Sequence, residues 1–177
     1  MRKLFLFTII NASILCSCTK YKLKELVDTH IIFPEALYSI DQNQLKKTTI
    51  QDGKNKIIVW FDSTGCNTCK ALDLYNFDFV YDYCKDSLNS SCDFIAVFSP
   101  TKEQINDVAV ILWERNINIP FVIDVNNEFH KLNSTIPDNE LYHSFLLNDC
   151  NNIVIVGRPN YNLKMWNLYK SMINNNQ

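Results

Sequence analysis

Apolar residues fall in short, nearly unbroken runs separated by polar stretches. The strongest run is Lys56-Ile57-Ile58-Val59-Trp60-Phe61, followed by Asp93-Phe94-Ile95-Ala96-Val97-Phe98 and Ile119-Pro120-Phe121-Val122-Ile123. Continuous rather than alternating hydrophobicity predicts strands covered on both faces. Ile31-Ile32-Phe33 and Leu37-Tyr38-Ser39-Ile40 read as shorter strands around Pro34, ahead of a polar stretch from Asp41 to Lys47. Between the long runs the period changes. A helix is expected from near Cys66 to before Ser90, with Leu72, Tyr75, Phe79 and Tyr83 at helical spacing. Trp60, Tyr75 and Phe79 are assigned to the core. Ser99-Pro100-Thr101 opens a second helix carrying Ile105, Val108, Ala109 and Leu112, and residues 128–132 start a short third one. Ser144-Phe145-Leu146-Leu147 and Ile153-Val154-Ile155-Val156 flank Asn148-Asp149-Cys150-Asn151-Asn152, a hairpin pattern. A last helix carries Leu163, Trp166, Leu168, Tyr169 and Met172. The order strand–helix–strand–helix–strand, then hairpin and helix, predicts a mixed sheet with helices on both faces.

Composition narrows the class. A chain of 177 residues that is 47% apolar and 20% charged fits one domain with a real core. Three glycines and five prolines exclude collagen-like and Gly- or Pro-rich chains. A net charge of -2 supplies no cationic surplus for phosphate backbones, which argues against a nucleic-acid protein.

The N-terminus carries a targeting pattern. Met1-Arg2-Lys3 precedes the apolar run Leu4 to Leu15, which is short for a membrane span and broken by Asn11 and Ser13. No later stretch is long and apolar enough to span. The run ends in Leu15-Cys16-Ser17-Cys18, which resembles a bacterial lipoprotein box. That resemblance implies cleavage before Cys18 and lipidation of it, with an acylated anchor in the bilayer. An ordinary cleaved signal or a buried N-terminal helix are the other readings. Thr19 follows Cys18, where Asp marks inner-membrane retention in enterobacterial lipoproteins. The expected location is therefore the bacterial cell envelope, lipid-anchored and periplasm-facing on the outer membrane.

The chemistry-bearing motif is Cys66-Asn67-Thr68-Cys69, set after a buried strand and a loop at the start of a helix. The first helical turn has free N–H groups and the positive end of the dipole, both of which favour a thiolate. Cys66 is expected to be exposed with a pKa below that of a free cysteine, and Cys69, one turn in, to be more covered. That asymmetry suits attack by Cys66 on a disulfide and resolution by Cys69. An inert structural disulfide is the bland alternative. Zinc needs more ligands than one Cys-x-x-Cys supplies, and His30, His130 and His143 show no clustered spacing. Copper held by Cys66, Cys69 and His143 is a further alternative.

Phe61-Asp62-Ser63-Thr64-Gly65-Cys66-Asn67-Thr68-Cys69-Lys70, Ile119 to Asp124, and Phe145-Leu146-Leu147-Asn148 with Asn152 to Gly157 together resemble the thioredoxin-like superfamily. They are most similar to its membrane-tethered thiol–disulfide oxidoreductase and peroxiredoxin-like branch, in particular Bacteroidetes lipoproteins. The resemblance covers roughly residues 31 to 173. It implies a thioredoxin-like three-layer α/β/α sandwich with a central mixed sheet and a C-terminal β-hairpin plus helix. Three segments follow: residues 1–17 as lipoprotein signal peptide, 18–30 as lipid-anchored tether, and 31–177 as the thioredoxin-like domain. The implied activity is electron exchange with protein disulfides through Cys66 and Cys69, without a cofactor or metal. The implied partners are a disulfide-bearing protein substrate, a thiol–disulfide electron donor and the lipid bilayer.

Several positions depart from the family pattern. Gly65 stands where better-known members have Trp, and Asn67-Thr68 where Gly-Pro is common. Tyr142 aligns with the family's cis-proline, and Pro137 lies five residues earlier. Trp60 aligns with the buried carboxylate, so Asp62 and Asp73 become candidate proton relays for Cys69. Their bland readings are a loop anchor for Asp62 and a solvent-facing helix position for Asp73. His143, beside Tyr142, is a candidate to bias the thiolate or assist proton transfer, against a non-catalytic hydrogen-bonded histidine. The peroxidase pattern Thr-x-x-Cys is met only by Ser63 ahead of Cys66. These departures also motivate another function: a redox-inactive thioredoxin-fold lipoprotein that binds a protein partner or copper. Among the remaining cysteines, Cys84 and Cys92 are candidates for a second disulfide, and Cys150 is expected exposed on the hairpin turn.

Overall fold

The computed structural model describes residues 23–41, 44–86, 92–115 and 117–175. The leader, Cys16 and the lipidation candidate Cys18 lie outside these residues. The chain opens with a helical turn over 23–26 (α1). The hairpin strands β1 (Leu37–Asp41) and β2 (Gln44–Thr48) lead to β3 (Asn55–Phe61). Next come α2 (Asn67–Asp73), a 3-10 turn (Leu74–Phe77), α3 (Asp78–Asp86) and β4 (Cys92–Phe98). α4 (Ile105–Glu114), β5 (Phe121–Asp124) and α5 (Phe129–Leu132) follow. β6 (Ser144–Leu147), β7 (Ile153–Val156) and α6 (Leu163–Asn175) end the chain.

The seven strands form one sheet in the order β2-β1-β5-β4-β3-β6-β7. β3, β4 and β5 are parallel, while β1, β6 and β7 add antiparallel pairings. Both parallel crossovers step in the same direction across the sheet. Right-handed crossovers that step the same way put their helices on the same face. Residues of α2, α3, α4 and α6 accordingly share one core with Ile57, Val59 and Phe61. Ile58 and Trp60 point into the other core, covered by Phe129 of α5 and by Ile31 and Ile136 from loops. Every residue of β3 is buried, the apolar run Ile57 to Phe61 as predicted and the polar Asn55 and Lys56 along with it. The architecture is a three-layer α/β/α sandwich whose second helical layer is thin, with a C-terminal hairpin plus helix.

Three local expectations are corrected. Ile31-Ile32-Phe33 is not a strand; only His30 bridges, to Asn152. The packed body nonetheless begins before residue 31. Leu26 is buried, and the amides of Asp28 and Ile31 donate to Ile153 and Asn151 at 2.8 Å each. This segment covers the β7 edge, which would otherwise present unpaired backbone groups. Second, the polar stretch forms β2. Its residues are mostly exposed, so no burial pattern announced it, and its lysines suit a sheet edge. Third, the long helix is broken by the 3-10 turn, which places residues three apart over one another. The inward stripe becomes Ala71, Leu74, Phe77, Val80 and Cys84. Tyr75 and Phe79 therefore face solvent, 45% and 47% exposed, while Trp60 is buried as expected.

At the carboxyl ends of the parallel strands, buried Asp124 fixes the framework. It accepts hydrogen bonds from the amides of Glu128 (3.0 Å) and Phe129 (2.7 Å) and from Ser99 Oγ (3.1 Å). Ser99 in turn accepts from Trp60 Nε1 at 3.0 Å. The ends of β3, β4 and β5 are thereby pinned where the functional loop leaves β3.

Candidate active site

The loop after β3 is shaped by Asp62. Its carboxylate accepts from the Thr64 amide (3.0 Å) and Thr64 hydroxyl (2.7 Å), a local turn typical of Asp. Gly65 then adopts φ +70°, a left-handed conformation costly for residues with a Cβ. That turn delivers Cys66 to the N-cap of α2. Its sulfur accepts from the Cys69 amide at 3.2 Å, so a free N–H of the first turn already addresses it. Cys66 and Cys69 are joined as a disulfide with Cα atoms 5.3 Å apart. Both are exposed, so the expected covering of Cys69 does not hold in the oxidised state. The helix start is too superficial to screen a residue only one turn in.

Lys70 anchors the loop from below. Its ammonium bonds to the Asp62 carboxylate, and it donates to the Asp62 carbonyl at 3.1 Å. Glu140, from the opposite wall, lies 3.4 Å away. Burial pushes the Asp62 carboxyl up, but hydrogen bonds from Lys70 and Thr64 outweigh it, and its pKa ends below the usual value. Asp73 is held by Arg158 at 2.7 Å and by Asn76 at 2.8 Å. It faces the cleft and an arginine rather than open solvent.

An open cleft of about 400 Å³ runs beside the disulfide, and Trp60, Cys66, Cys69, Lys70, His143 and Arg158 all contribute to its walls. His143 immediately precedes β6, and its carbonyl accepts from the Trp60 amide at 2.7 Å. Its ring lies 4.1 Å from that of Trp60, centroid to centroid. Burial pushes its pKa below the ordinary histidine value, against the opposing pull of the Pro137 carbonyl, Asp62 and Glu140. Tyr142 is buried but does not line this cleft, so the side chain beside the disulfide just before β6 is His143. The described residues contain no cis peptide bond, and the Pro137 carbonyl accepts from His143.

Among the described residues, no three His, Cys, Asp or Glu side chains gather in a metal-binding group. In this state Cys66 and Cys69 are bonded to each other. No described helix is long and apolar enough to cross a membrane. Cys84 and Cys92 are buried neighbours; the thiol of Cys92 is pushed up by its hydrogen bond with Cys84 and then by burial. Cys150 is exposed on the hairpin turn as expected.

Sequence reasoning missed Lys70, Glu140 and Arg158. Lys70 carried a signal, since position i+4 from Cys66 shares its helix face. Arg158 and Asp73 are 85 residues apart, and the sheet brings them together by pairing β6 with β3 and β7 with β6.

No protein-family profile matches the sequence, and no curated relative does. Solved structures do match. A putative thiol-disulfide oxidoreductase from Bacteroides vulgatus superposes with a TM-score of 0.56 at 18% identity, over 85% of this chain and 97% of that one. A putative protein disulfide isomerase from Bacteroides thetaiotaomicron gives a TM-score of 0.54 at 17% identity, over 84% and 89%. Peroxiredoxin Q from Xanthomonas campestris, in a cysteine-to-serine mutant form, gives 0.52 at 11% identity, over 86% and 99%. At these identities the likeness is one of fold. The chain has a thioredoxin-like fold, and its Cys66–Cys69 pair stands at a helix start, an arrangement consistent with thiol–disulfide redox chemistry.

Proposed function

We propose that this chain is an extracytoplasmic thiol–disulfide oxidoreductase that exchanges electrons with protein disulfides through Cys66 and Cys69. The observation that carries the reading is the exposed Cys66 sulfur at a helix N-cap, accepting from the Cys69 amide at 3.2 Å. That N–H stabilises negative charge on sulfur, and exposure admits a partner. In the reducing direction, the Cys66 thiolate attacks a partner disulfide and one partner sulfur leaves as a thiol. Cys69 then attacks Cys66 Sγ, releasing the second partner thiol and closing the Cys66–Cys69 bond. The oxidising direction reverses both steps. A thiol–disulfide electron donor completes the cycle.

Asp62 and Asp73 act as positioning residues in this reading. Asp62 holds Lys70 and the loop, and Asp73 holds Arg158 against the cleft. The charges they hold are largely neutralised, so the backbone N–H is the principal source of thiolate stabilisation. Tyr142, buried in the turn before β6, immediately precedes His143. The leader, with Cys18 acylated, would hold the domain on the periplasmic side of the outer membrane; the support is the Leu15-Cys16-Ser17-Cys18 pattern.

Trapping tests the activity. Reduced protein carrying Cys69→Ser, mixed with a disulfide-bearing protein such as insulin, should accumulate a mixed disulfide through Cys66. Cys66→Ser should accumulate none and lose reductase turnover to background. Equal turnover in Cys66→Ser and unmodified protein would remove the oxidoreductase reading in favour of a binding protein.

A further inference from the structure

His143 is buried at 3% exposure. Its Nε2 lies 2.9 Å from the Pro137 carbonyl oxygen. A carbonyl only accepts, so Nε2 carries the ring proton in the neutral form. Nδ1 is then a bare lone pair. It is buried and has no hydrogen-bond partner. Buried acceptors are nearly always satisfied, and an exception calls for a functional account. His143 is among the walls of the cleft of about 400 Å³ shared by Cys66 and Cys69, and in the oxidised state its Nδ1 is closed off from solvent.

The other groups around the cleft are committed. Asp62 is bonded to Lys70 and Thr64 and held ionised. Asp73 is bonded to Arg158 and Asn76. Glu140 faces Lys70 from the turn before β6. Trp60 of β3 packs at a tilt of 42° against the histidine ring and offers no base, and His130 of α5 lies across Trp60, 5.1 Å from its ring. His143 thus contributes the buried, unpartnered proton acceptor of this cleft among the described residues.

We propose that His143 takes the proton from Cys69 during resolution and returns it to the departing thiol. This deepens the oxidoreductase reading and rests on it. In the mixed disulfide, Cys66 Sγ is bonded to a partner sulfur. With the Cys66–Cys69 bond open, the Cys69 thiol gives its proton to His143 Nδ1. The resulting thiolate attacks Cys66 Sγ. The Cys66–Cys69 bond forms, the bond from Cys66 to the partner breaks, and the partner leaves as a thiolate that takes the proton back from Nδ1. The partner gains two electrons over the whole cycle and the cysteine pair loses two. Burial keeps the ring neutral near pH 7, the form that accepts a proton.

The test resolves the two steps. Reduced full-length chain in a Cys16→Ser, Cys18→Ser, Cys150→Ser background is mixed with 5,5′-dithiobis(2-nitrobenzoate), and released thionitrobenzoate is followed by stopped flow. A parallel Cys69→Ser trace isolates the second release. His143→Gln and His143→Phe should slow the second release by about tenfold to a hundredfold. The first release should stay within about twofold. The defect should shrink as pH rises toward the ordinary thiol range, where Cys69 ionises unaided. Unmodified protein provides a measurement independent of variant folding. The midpoint in pH of its second step should coincide with the His143 titration read by NMR, with Nε2 protonated in the neutral ring. Equal slowing of both releases, an unchanged pH profile in the variants, or a second-step midpoint that ignores His143 would overturn the proposal. Absence of any release that is lost with Cys66→Ser would instead overturn the oxidoreductase reading itself.

Discussion

Two pairs of cysteines sit in this chain within 30 residues and share almost no physics. Cys66 and Cys69 stand at a helix start in solvent and are joined as a disulfide. Cys84 and Cys92 are buried at 4% and 2% exposure, among Phe94 and other apolar side chains of the larger core. At the first pair a backbone N–H points at sulfur, which favours the thiolate. At the second, a neighbouring thiol and burial push Cys92 up and keep it a thiol. Cys150 separates exposure from reactivity. It is solvent-facing, but the adjacent Asp149 accepts its hydrogen bond, repels its thiolate and raises its pKa. Sulfur chemistry here follows local charge and hydrogen bonding more than sequence spacing.

The sharpest way to break the contrast is alkylation kinetics. In reduced, folded protein, iodoacetamide should modify Cys66 first and Cys150 more slowly. Cys84 and Cys92 should lag by at least about a thousandfold, because reaching them requires opening the core. Mass spectrometry of peptides against time reads the order. Modification of Cys92 at a rate near that of Cys66 would erase the distinction.

Loosening the core should couple the two behaviours. Phe94 is buried at 2% exposure and packs 5.6 Å from Phe77, ring to ring. Phe94→Ala should destabilise the fold by about 3–5 kcal/mol in denaturant titration. It should raise alkylation of Cys84 and Cys92 while leaving Cys66 exchange intact in the folded fraction.

A smaller effect belongs to the loop. Asp62→Asn should cost about 1–3 kcal/mol, since it leaves the partly buried Lys70 ammonium with a weaker partner. The folded carboxyl titrates below its ordinary value of 3.8. Its contribution is therefore fully present above that pH and is lost as pH falls through the lower folded value. Thermal unfolding of the two proteins should converge below that window. Constant separation at all pH would assign the loss to packing.

The smallest expected effect is at Gly65, whose φ of +70° disfavours any Cβ although space is open around it. Gly65→Ala should cost about 1 kcal/mol. It should slow Cys66 exchange only as far as the loop shifts.

The sandwich was legible because β3 and its parallel neighbours are buried on both faces, so unbroken apolar runs marked them. Cys66 was legible because strand, loop and helix start could be read in order around it. The edge strand β2 was not, since Gln44 to Thr48 buries nothing. The helix phase failed at Tyr75 and Phe79 because a 3-10 turn resets the stripe, and periodicity assumes one helix type. His143 was nameable from its place before β6. Its bonding was not, because the Pro137 carbonyl and the Trp60 ring contact depend on how a loop closes. The leader pattern through Cys18 lies outside the described residues.

The most direct test is the redox equilibrium of the two pairs in one protein. Full-length chain is equilibrated in glutathione buffers, trapped with an alkylating agent and read by mass at each cysteine. The account predicts a reversible two-electron transition at Cys66–Cys69 between about -270 and -120 mV, the range of catalytic dithiols. Cys84 and Cys92 should stay silent across the same buffers. A Cys66–Cys69 bond that persists below about -300 mV would be a structural disulfide and would contradict the account.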